Sequence, residues 1–264
     1  MRTFVIAEAG STVAGSLPRM LDMIVAASDT GADAIKFQWT SSGKRMASRR
    51  ALPSAASSYD TLLGWPSAWL PLLADAAKAL NVEFMCSVFL PEDVAIVAPY
   101  VSRFKIASIE AADLAFLQAH PLDRQIIVSA GACGQRTLDQ LIAFRAAHAG
   151  TVAVIHCNAG YPTPLADANL RVITRHNLDG FSDHTAHILT GALAVAAGAR
   201  IVEVHFRHPE TASNNPDYWH SLDFHGLECY IETIRHAETA LGSGHRRITA
   251  TETECANARE ALST

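Results

Sequence analysis

Eight short runs of apolar and β-branched residues alternate with helix-like segments along most of this chain. We predict strands at the runs Thr3–Glu8, Ala32–Gln38, Val82–Ser87, Ser102–Ile106, Gln125–Ser129, Thr151–His156, Leu178–Ser182 and Arg200–Phe206. Strands that alternate with helices form parallel βαβ units. Eight such units within 264 residues predict an α/β protein built as a single (β/α)8 TIM barrel.

The segments between these runs have the apolar spacing or the small-residue content of helices. They are Leu17–Thr30, Ser67–Leu80, Glu92–Ala98, Leu114–Ala119, Leu138–Ala147, Ala168–Arg175 and Ile188–Ala197, with a last helix at about Leu227–Leu241. The alternative is a doubly wound open sheet, but Ala9-Gly10-Ser11 follows the first strand where that fold usually has a glycine-rich phosphate turn. We place the barrel at residues 1–242 and expect a polar tail at 243–264, with a short helix near Thr251–Leu262.

Composition narrows the class of protein. Hydrophobic residues make up 49% of the chain and charged residues 18%, which is typical of a globular, core-rich protein. The net charge of −5 and the lack of any long basic run argue against nucleic acid as the main partner. Five scattered cysteines with no CxxC pair indicate a reduced, cytoplasmic protein. We expect no membrane association, because no apolar run is long enough for a signal peptide or a membrane span.

Two connections are unusually long, and both follow strands at the end of a barrel where active-site loops lie. Trp39–Pro66 is rich in Ser, Ala and Arg and follows the second strand, and Arg207–Leu222 follows the eighth. Long connections in this position are often lids. For the first of them, plain surface disorder is the alternative.

Two histidines end successive strands near the end of the predicted barrel. His184 follows Gly180-Phe181-Ser182-Asp183, His205 ends Ile201-Val202-Glu203-Val204, and a helical segment separates them. Two imidazoles at one edge of a parallel sheet are suited to binding a divalent metal. The alternative is two unrelated polar residues at strand ends.

Polar or ionisable side chains end every predicted strand. Residues two apart in a strand share a face, and inward residues at the carboxyl end of a barrel strand face the active site. This parity places at one mouth Glu8, Lys36, Gln38, Ser87, Lys105, Ser129, His156, Ser182, His184, Glu203 and His205, with Ser108 and Glu110 just beyond the fourth strand.

The two lysines are the residues that best indicate the charge of a ligand at this mouth. Lys36 and Lys105 lie inside strand runs, where an ammonium group is costly to bury unless an anion meets it. Two lysines at one mouth indicate an anion with more than one charge, and the serines would donate to its phosphate or carboxylate. The alternative for each lysine is a structural ion pair with Glu8, Glu110 or Glu203. Glu8 could otherwise handle a proton or bind substrate hydroxyls.

These residues lie in strings whose order and spacing resemble the sialic acid synthase family (NeuB-like), the phosphoenolpyruvate-dependent synthases of nonulosonic acids. The resemblance covers about residues 3–242. The strings are Ile6-Ala7-Glu8-Ala9-Gly10, Gly31-Ala32-Asp33-Ala34-Ile35-Lys36-Phe37-Gln38, Phe104-Lys105-Ile106-Ala107-Ser108-Ile109-Glu110, Ser129-Ala130-Gly131, His156-Cys157-Asn158-Ala159-Gly160-Tyr161-Pro162-Thr163-Pro164, Ser182-Asp183-His184-Thr185 and Glu203-Val204-His205-Phe206.

The resemblance implies a TIM-type barrel and a transferase reaction. In this family, carbon 3 of phosphoenolpyruvate attacks an aldehyde, commonly the open form of an N-acylated hexosamine. Water then adds to carbon 2, and phosphate leaves with C–O cleavage to give a 2-keto-3-deoxy acid. The resemblance also implies a divalent metal, manganese or magnesium, that polarises the aldehyde oxygen.

Carried over onto this sequence, the resemblance implies a role for each matching residue. The expected catalytic residues are Glu8, Lys36, Lys105 and His184, and the expected metal ligands are His184 and His205. The residues expected to bind the two substrates are Gln38, Ser87, Ser108, Glu110, Ser129, Asn158, Tyr161, Ser182 and Asp217.

The chain departs from the family pattern mainly on the acceptor side. Ser11-Thr12-Val13 replaces the usual Asn-His, Ser87-Val88-Phe89 replaces Thr-Pro-Phe, and Asn214-Asn215-Pro216-Asp217 replaces Pro-Gly-Pro-Asp. The family pattern has an Asn that contacts the donor at the position where this chain has Ala159, and Asn158 is adjacent to it. The family usually continues into a small antifreeze-like domain that supplies an Arg to the partner subunit's acceptor site, whereas this sequence stops at Thr264. We therefore expect a barrel without that domain, a possible homodimer, and an acceptor that differs from N-acetylmannosamine.

Three functions stay open from the sequence. The order of the strings favours a phosphoenolpyruvate-dependent synthase. The hypothesis of another metal-dependent barrel lyase or hydrolase is less favoured because the first strand carries no His-x-His. A degenerate barrel acting as a binding or scaffold subunit is weakened because Glu8, Lys36, Lys105, His184 and His205 are all kept.

Overall fold

Eight parallel strands form the centre of the molecule in a computed structural model that describes residues 2–262. The strands are β1 Phe4–Gly10, β2 Ala34–Gln38, β3 Glu83–Ser87, β4 Arg103–Ile106, β5 Gln125–Ser129, β6 Val152–Cys157, β7 Gly180–Asp183 and β8 Ile201–His205. They are hydrogen-bonded in the order β3-β2-β1-β8-β7-β6-β5-β4. The predicted TIM barrel is therefore confirmed, and each strand lies within two residues of its predicted bounds.

Helices follow the strands along the chain, as the alternating pattern predicts, and most of them pack on the outer face of the barrel. Their bounds are α1 Leu17–Asp29, α2 Gly43–Arg49, α3 Ala56–Leu63, α4 Trp69–Ala79, α5 Pro91–Val97, α6 Leu114–Gln118, α7 Gln135–Ala147, α8 Arg171–Arg175, α9 Thr190–Ala196, α10 Phe224–Leu241 and α11 Thr253–Ala261. Short 3-10 turns lie at Pro53–Ala55, Ala98–Tyr100, Glu110–Ala112, Leu165–Asp167 and Ala250–Glu252. No helix within residues 2–262 is both long enough and apolar enough to cross a membrane.

Side chains join β3 to β4, the two ends of the hydrogen-bonded strand order. At the carboxyl end, Ser87 Oγ donates to the Lys105 carbonyl oxygen at 3.0 Å. At the opposite end, Arg103 Nε lies 2.6 Å from Glu83 Oε1. These contacts bring the lysine of β4 to the same mouth as the side chains of β1–β3.

The barrel has two apolar layers, and the alternation along each strand assigns residues to them. The inner layer contains Ile6, Ala34, Met85, Ile127, Ala153, Ile155 and Ile201. The other strand face packs against the helices in a much larger cluster that includes Val154 and Phe181. Because side chains alternate between faces, the residues two positions beyond the inner layer point into the mouth.

The predicted position of His156 at the mouth is wrong. Ala153 and Ile155 face the barrel interior, so the next inward residue of β6 is Cys157. The His156 ring instead stacks on Phe181 at 5.8 Å between centroids, and its Nε2 lies 2.9 Å from the Ala168 carbonyl oxygen. Both faces of this buried parallel strand are apolar, so the sequence alternation does not reveal which face is inward.

The connection at Trp39–Pro66 is mostly helical, contrary to the expected loop. It contains α2 and α3, which pack against each other. Arg50, directly after α2, lies over the Phe89 ring at 4.7 Å and pairs with Glu110. The segment therefore covers one side of the mouth as a packed helical pair, rather than as an irregular or disordered surface loop.

Candidate active site

The carboxyl ends of the strands bring the predicted polar residues together in one buried mouth. Strand register sets Glu8 beside Lys36 on one side and beside His205 on the other, and sets Ser182 beside Glu203. Because parallel strands hold side chains at fixed register, these residues meet without help from flexible loops. Each of the predicted residues Glu8, Lys36, Ser87, Lys105, Ser129, Ser182, His184 and His205 is at most 5% exposed.

Two lysines and two glutamates form a buried ionic cluster at the floor of the mouth. Lys36 Nζ lies 2.5 Å from Glu8 Oε2 and 3.6 Å from Glu203 Oε2, and Lys105 Nζ lies 3.5 Å from Glu203 Oε1. The four formal charges cancel. The structural ion pairs considered from the sequence therefore exist, with Glu8 and Glu203 as the partners.

Hydroxyl and amide groups surround this ionic cluster. Lys105 Nζ donates to Ser129 Oγ at 2.7 Å, and Lys36 Nζ donates to Ser87 Oγ at 3.3 Å. Ser182 Oγ donates to Glu203 Oε1, and Gln38 Nε2 donates to Glu8 Oε1, both at 2.7 Å. The arrangement offers a ligand a ring of rotatable hydroxyls around two ammonium groups.

The ionic cluster sets the protonation of its members. Burial opposes the charged form of Glu203, but Lys105 and Lys36 outweigh burial and hold the pKa of Glu203 below its usual value. For Lys36, burial is outweighed by Glu203 and Glu8, which raise its pKa. Burial dominates at Lys105 and lowers its pKa. Lys105 is therefore the lysine whose charge depends more on what binds beside it.

A second cluster, of imidazoles, lies at the rim beside the ionic cluster. The rings of His184 and His205 lie 5.2 Å apart between centroids, and His220 lies 4.6 Å from His205 and 5.8 Å from His184. Burial lowers the pKa of His205 and lowers that of His220 to about 3. Both rings are therefore neutral near pH 7, which leaves a nitrogen lone pair on each for a metal ion.

The donor atoms of this cluster fit a divalent metal. His184 Nδ1 donates to the Asn158 carbonyl oxygen at 2.7 Å, so a metal ion would bind at Nε2 of this ring. A metal-binding histidine commonly has its other nitrogen held in this way. Among the described residues, His205, Asp217 and His220 also form a group whose potential ligand atoms all lie within 4.8 Å of one another.

The remaining predicted residues lie around the mouth but differ in what their polar atoms contact. Ser108 Oγ accepts from the Gly131 amide at 3.1 Å, and Asp217 Oδ2 accepts from the Ser11 amide at 2.7 Å. The Tyr161 ring packs on His184 and His220 at 4.4 and 4.9 Å between centroids.

Glu110 and Asn158 are engaged by protein groups. Arg50 donates to both carboxylate oxygens of Glu110, at 2.7 and 2.8 Å. The Asn158 side chain donates to the Asp167 carbonyl oxygen at 3.1 Å and accepts from the Gly160 amide at 3.0 Å. Both residues shape the wall of the mouth through these contacts.

Three residues of the site are missing from the sequence-based set. Cys157 lies in the mouth with its Sγ 3.7 Å from His184 Nδ1. Arg50 and His220 come from the two long connections, where no periodic pattern fixes the direction of a side chain. The Arg49-Arg50 pair and the histidine three residues after Asp217 can be noticed in the sequence. Their positions at the mouth, however, cannot be predicted without knowing the fold.

Comparisons with known proteins agree with this architecture. A sequence model of the NeuB family matches residues 23–246. An N,N'-diacetyllegionaminic acid synthase from Legionella pneumophila is 30% identical over 270 residues, which cover 94% of this chain and 75% of that protein. A pseudaminic acid synthase from Campylobacter jejuni is 31% identical over 269 residues, covering 92% of this chain and 76% of that protein.

A solved structure supports the same assignment. The crystal structure of an N-acetylneuraminic acid synthetase from Leptospira borgpetersenii in complex with citrate superposes with a TM-score of 0.87 at 27% identity. The match covers 99% of this chain and 93% of that chain. The family match over most of the chain, the relatives at 30% identity or more and the predicted strings at one barrel mouth agree, and the protein is a synthase-type enzyme that belongs to the NeuB family.

Proposed function

We propose that this enzyme condenses phosphoenolpyruvate with a sugar aldehyde and releases phosphate, giving a 2-keto-3-deoxy acid of the nonulosonic type. The observation that carries the proposal is the pairing of two clusters in one mouth. Lys36 and Lys105, contacted by serine hydroxyls, share the mouth with the imidazoles of His184 and His205. Glu8 links the clusters because it pairs with Lys36 and is the register neighbour of His205. The first cluster suits an anionic donor and the second suits a metal that acts on a carbonyl group.

On the donor side, we assign phosphoenolpyruvate to Lys36, Lys105 and the hydroxyls of Ser87, Ser108, Ser129 and Ser182. Phosphoenolpyruvate carries about three negative charges near neutral pH, two on its phosphate and one on its carboxylate. The ionic cluster is neutral as it stands, because Glu8 and Glu203 balance the lysines. Donor binding therefore needs further positive charge, and a divalent cation at the neighbouring imidazoles is suited to supply it.

On the acceptor side, we assign the sugar to Glu8, Gln38, Tyr161 and Asp217. Glu8 accepts from Gln38 at 2.7 Å and has a second oxygen near Lys36, so its carboxylate is held in one orientation. A fixed carboxylate at this position can orient a sugar hydroxyl or accept a proton from the water that adds to carbon 2. The exposed Tyr161 ring, above His184, can pack on the sugar at the rim.

For the metal, we assign His184 and His205 as ligands of a manganese or magnesium ion. The ion would act as a Lewis acid on the aldehyde oxygen. The protein contributes the imidazole of His205, whose pKa burial lowers, and that of His184, whose Nδ1 is held by the Asn158 carbonyl oxygen. Homodimer formation and a cytoplasmic location stay predictions from the sequence.

The test is phosphate release with manganese, phosphoenolpyruvate and a panel of aldehydes that includes N-acetylated and di-N-acetylated hexoses. Phosphate release that requires an acceptor supports the proposal. His184→Ala should abolish manganese-dependent turnover while circular dichroism stays unchanged. His225→Ala is the control, because His225 is an exposed histidine on α10 that contacts Glu228. No turnover with any acceptor, together with no donor binding by calorimetry, would favour a scaffold role.

A further inference from the structure

His220 is a buried side chain whose polar atoms are unexplained by the protein around it. It is 1% exposed, and neither ring nitrogen has a hydrogen-bond partner among the described residues. A buried imidazole normally has at least one partner, because losing its hydrogen bonds to water is costly. His220 also lies at the mouth, packed edge-on against Tyr161 and His205. An additional binding partner at this position would explain both features.

His205, whose ring packs against His220, also has one buried ring nitrogen without a partner among the described residues. Its Nδ1 is buried without a hydrogen-bond partner within residues 2–262. Asp217 completes the group, since its Oδ1 lies 3.5 Å from His220 Nε2 while the Ser11 amide holds its Oδ2 at 2.7 Å. Two imidazoles with unpartnered ring nitrogens and an anchored carboxylate thus lie together, with their ligand atoms within 4.8 Å of one another.

Gly10 keeps the space between these groups open. It follows a break in the register of β1 and has a φ of +52°. A Cβ atom there would lie 2.4 Å from Asp217 Oδ2 and 3.2 Å from His205 Nδ1. A side chain at this position would therefore fill the space between the carboxylate and the imidazole, so the backbone is shaped to leave that space free.

We propose that His205, Asp217 and His220 form a two-histidine, one-carboxylate site for a divalent first-row transition metal, with His220 as a direct ligand. The inference refines the metal site of the proposed function and makes Asp217 a metal ligand in place of the sugar contact assigned above, but it depends on none of the proposed substrates. Ligand atoms about 2.1 Å from one ion lie at most about 4.2 Å apart, so closing the site needs only a small inward movement. The His184 ring lies 5.2 Å from His205 and 5.8 Å from His220 between centroids, so it can add a further nitrogen.

The donor set determines which metals the site prefers. Imidazole nitrogen suits zinc, copper, nickel and iron, and the affinity of a nitrogen-containing site rises from manganese through cobalt, whereas magnesium prefers oxygen ligands and water. A site with at least two imidazoles should therefore bind Mn²⁺, Co²⁺ and Zn²⁺ more tightly than Mg²⁺. The preference should follow the number of nitrogen ligands, so loss of His220 should reduce it.

The experiment measures metal binding directly, without turnover. The metal-free protein is titrated with Mn²⁺, followed by electron paramagnetic resonance, and with Co²⁺, followed by visible absorption. His220→Phe keeps the size and apolar packing of the ring but removes both nitrogens. We expect Mn²⁺ affinity to fall by at least about 10–100-fold, since loss of even an indirect partner has an effect of this size, and we expect the Co²⁺ absorption bands to change.

His208→Phe is the matched control. His208 lies on the same connection and is also buried, but it faces Asp22 on α1. It should keep wild-type Mn²⁺ affinity and Co²⁺ absorption. Asp217→Asn is the second test variant in case His220→Phe folds poorly, and it should weaken Mn²⁺ binding in the same way. Affinity within about threefold of wild type and an unchanged Co²⁺ spectrum in folded His220→Phe would overturn the inference.

The outcomes separate this inference from the proposed function. If wild-type protein binds Mn²⁺ through His220 but neither binds nor turns over phosphoenolpyruvate, the metal site stands and the function fails. If the wild type is an active synthase and His220→Phe binds Mn²⁺ normally, the function stands and His220 is no ligand.

Discussion

Glu203 balances two buried lysines, which makes its conversion to glutamine a sharp test of the ionic cluster. Glu203→Gln preserves the shape of the side chain and the acceptor for Ser182, but it removes one negative charge. The carboxylate lies 3.5 Å from Lys105 Nζ and 3.6 Å from Lys36 Nζ. At an effective dielectric constant near 20, each contact is worth about 5 kcal/mol of attraction.

Much of that attraction offsets the cost of burying the carboxylate. The net loss from removing one partner of a buried ion pair is about 3–5 kcal/mol. With an unfolding entropy of about 2.1 cal/mol/K per residue and 264 residues, Tm should fall by about 5–9 °C. Urea unfolding followed by circular dichroism measures the free energy directly.

The loss of stability in Glu203→Gln should also depend on pH. Burial already lowers the pKa of Lys105, and loss of Glu203 lowers it further because Glu203 is the main group that raises it. Between the lowered folded pKa and the unfolded value near 10.4, the unfolded chain binds more protons than the folded chain. Stability of the variant relative to wild type should therefore rise as pH increases through that window.

Glu83→Gln is the matched control for charge removal. Glu83 pairs with Arg103 at the opposite end of the same barrel, and both side chains are more than a fifth exposed. A partly exposed pair contributes at most about 1 kcal/mol, so this variant should stay near wild type with little pH dependence. A loss below about 1 kcal/mol in Glu203→Gln, with a flat pH profile, would refute the charge balance argued for the mouth.

Three further predictions concern single contacts. Tyr230→Phe removes a buried O–H that donates to Asp183 Oδ2 at 2.8 Å and should cost about 1.5–3 kcal/mol in urea unfolding; wild-type stability would exclude that bond as a support of β7. Gly191→Ala should destabilise the protein by about 1–3 kcal/mol despite the helix preference of alanine, because its Cβ would lie 2.5 Å from the Tyr230 ring; a thermal melt showing stabilisation would contradict this packing. Burial lowers the pKa of Lys105, so kcat/KM for phosphoenolpyruvate should fall as the pH rises, with the fall beginning at a pH lower than about 10.4, the pKa of a free lysine. Lys105→Arg keeps its charge and should lack this alkaline fall even if its rate is lower.

The strands and the residues they carry were the predictable part of the fold. Apolar runs that end in polar residues locate the strands, and period-two alternation then points Glu8, Lys36 and Lys105 into one mouth. The same rule failed at β6, where Val154 and Ile155 are equally apolar and only the fold shows that Ile155 faces inward. Alternation identifies the faces of a strand when one face is polar, and it loses that power when both faces are buried.

The contributions of the two long connections were not predictable from local pattern. Arg50 reaches Glu110 only because α2 and α3 fold over the mouth, 60 residues before its partner in sequence. His220 joins the imidazole cluster because the connection after β8 folds back over β1, where Asn215 and Asp217 bond to Ser11. Such positions depend on long-range contacts, which no short window of sequence contains.

The strands and the connections differ in how freely their sequences can change, and this difference bears on how the enzyme could vary its substrate. The ionic cluster rests on strands with fixed register, so a donor-binding site there is held rigidly and tolerates little change. The rim residues Tyr161, Asp217 and His220 rest on connections, whose sequence can change without disturbing the barrel. The departures from the family pattern also fall mainly in connections, such as Asn214-Asn215-Pro216-Asp217. We therefore expect the donor to be the shared phosphoenolpyruvate and the acceptor, together with the details of metal binding, to be the features particular to this chain.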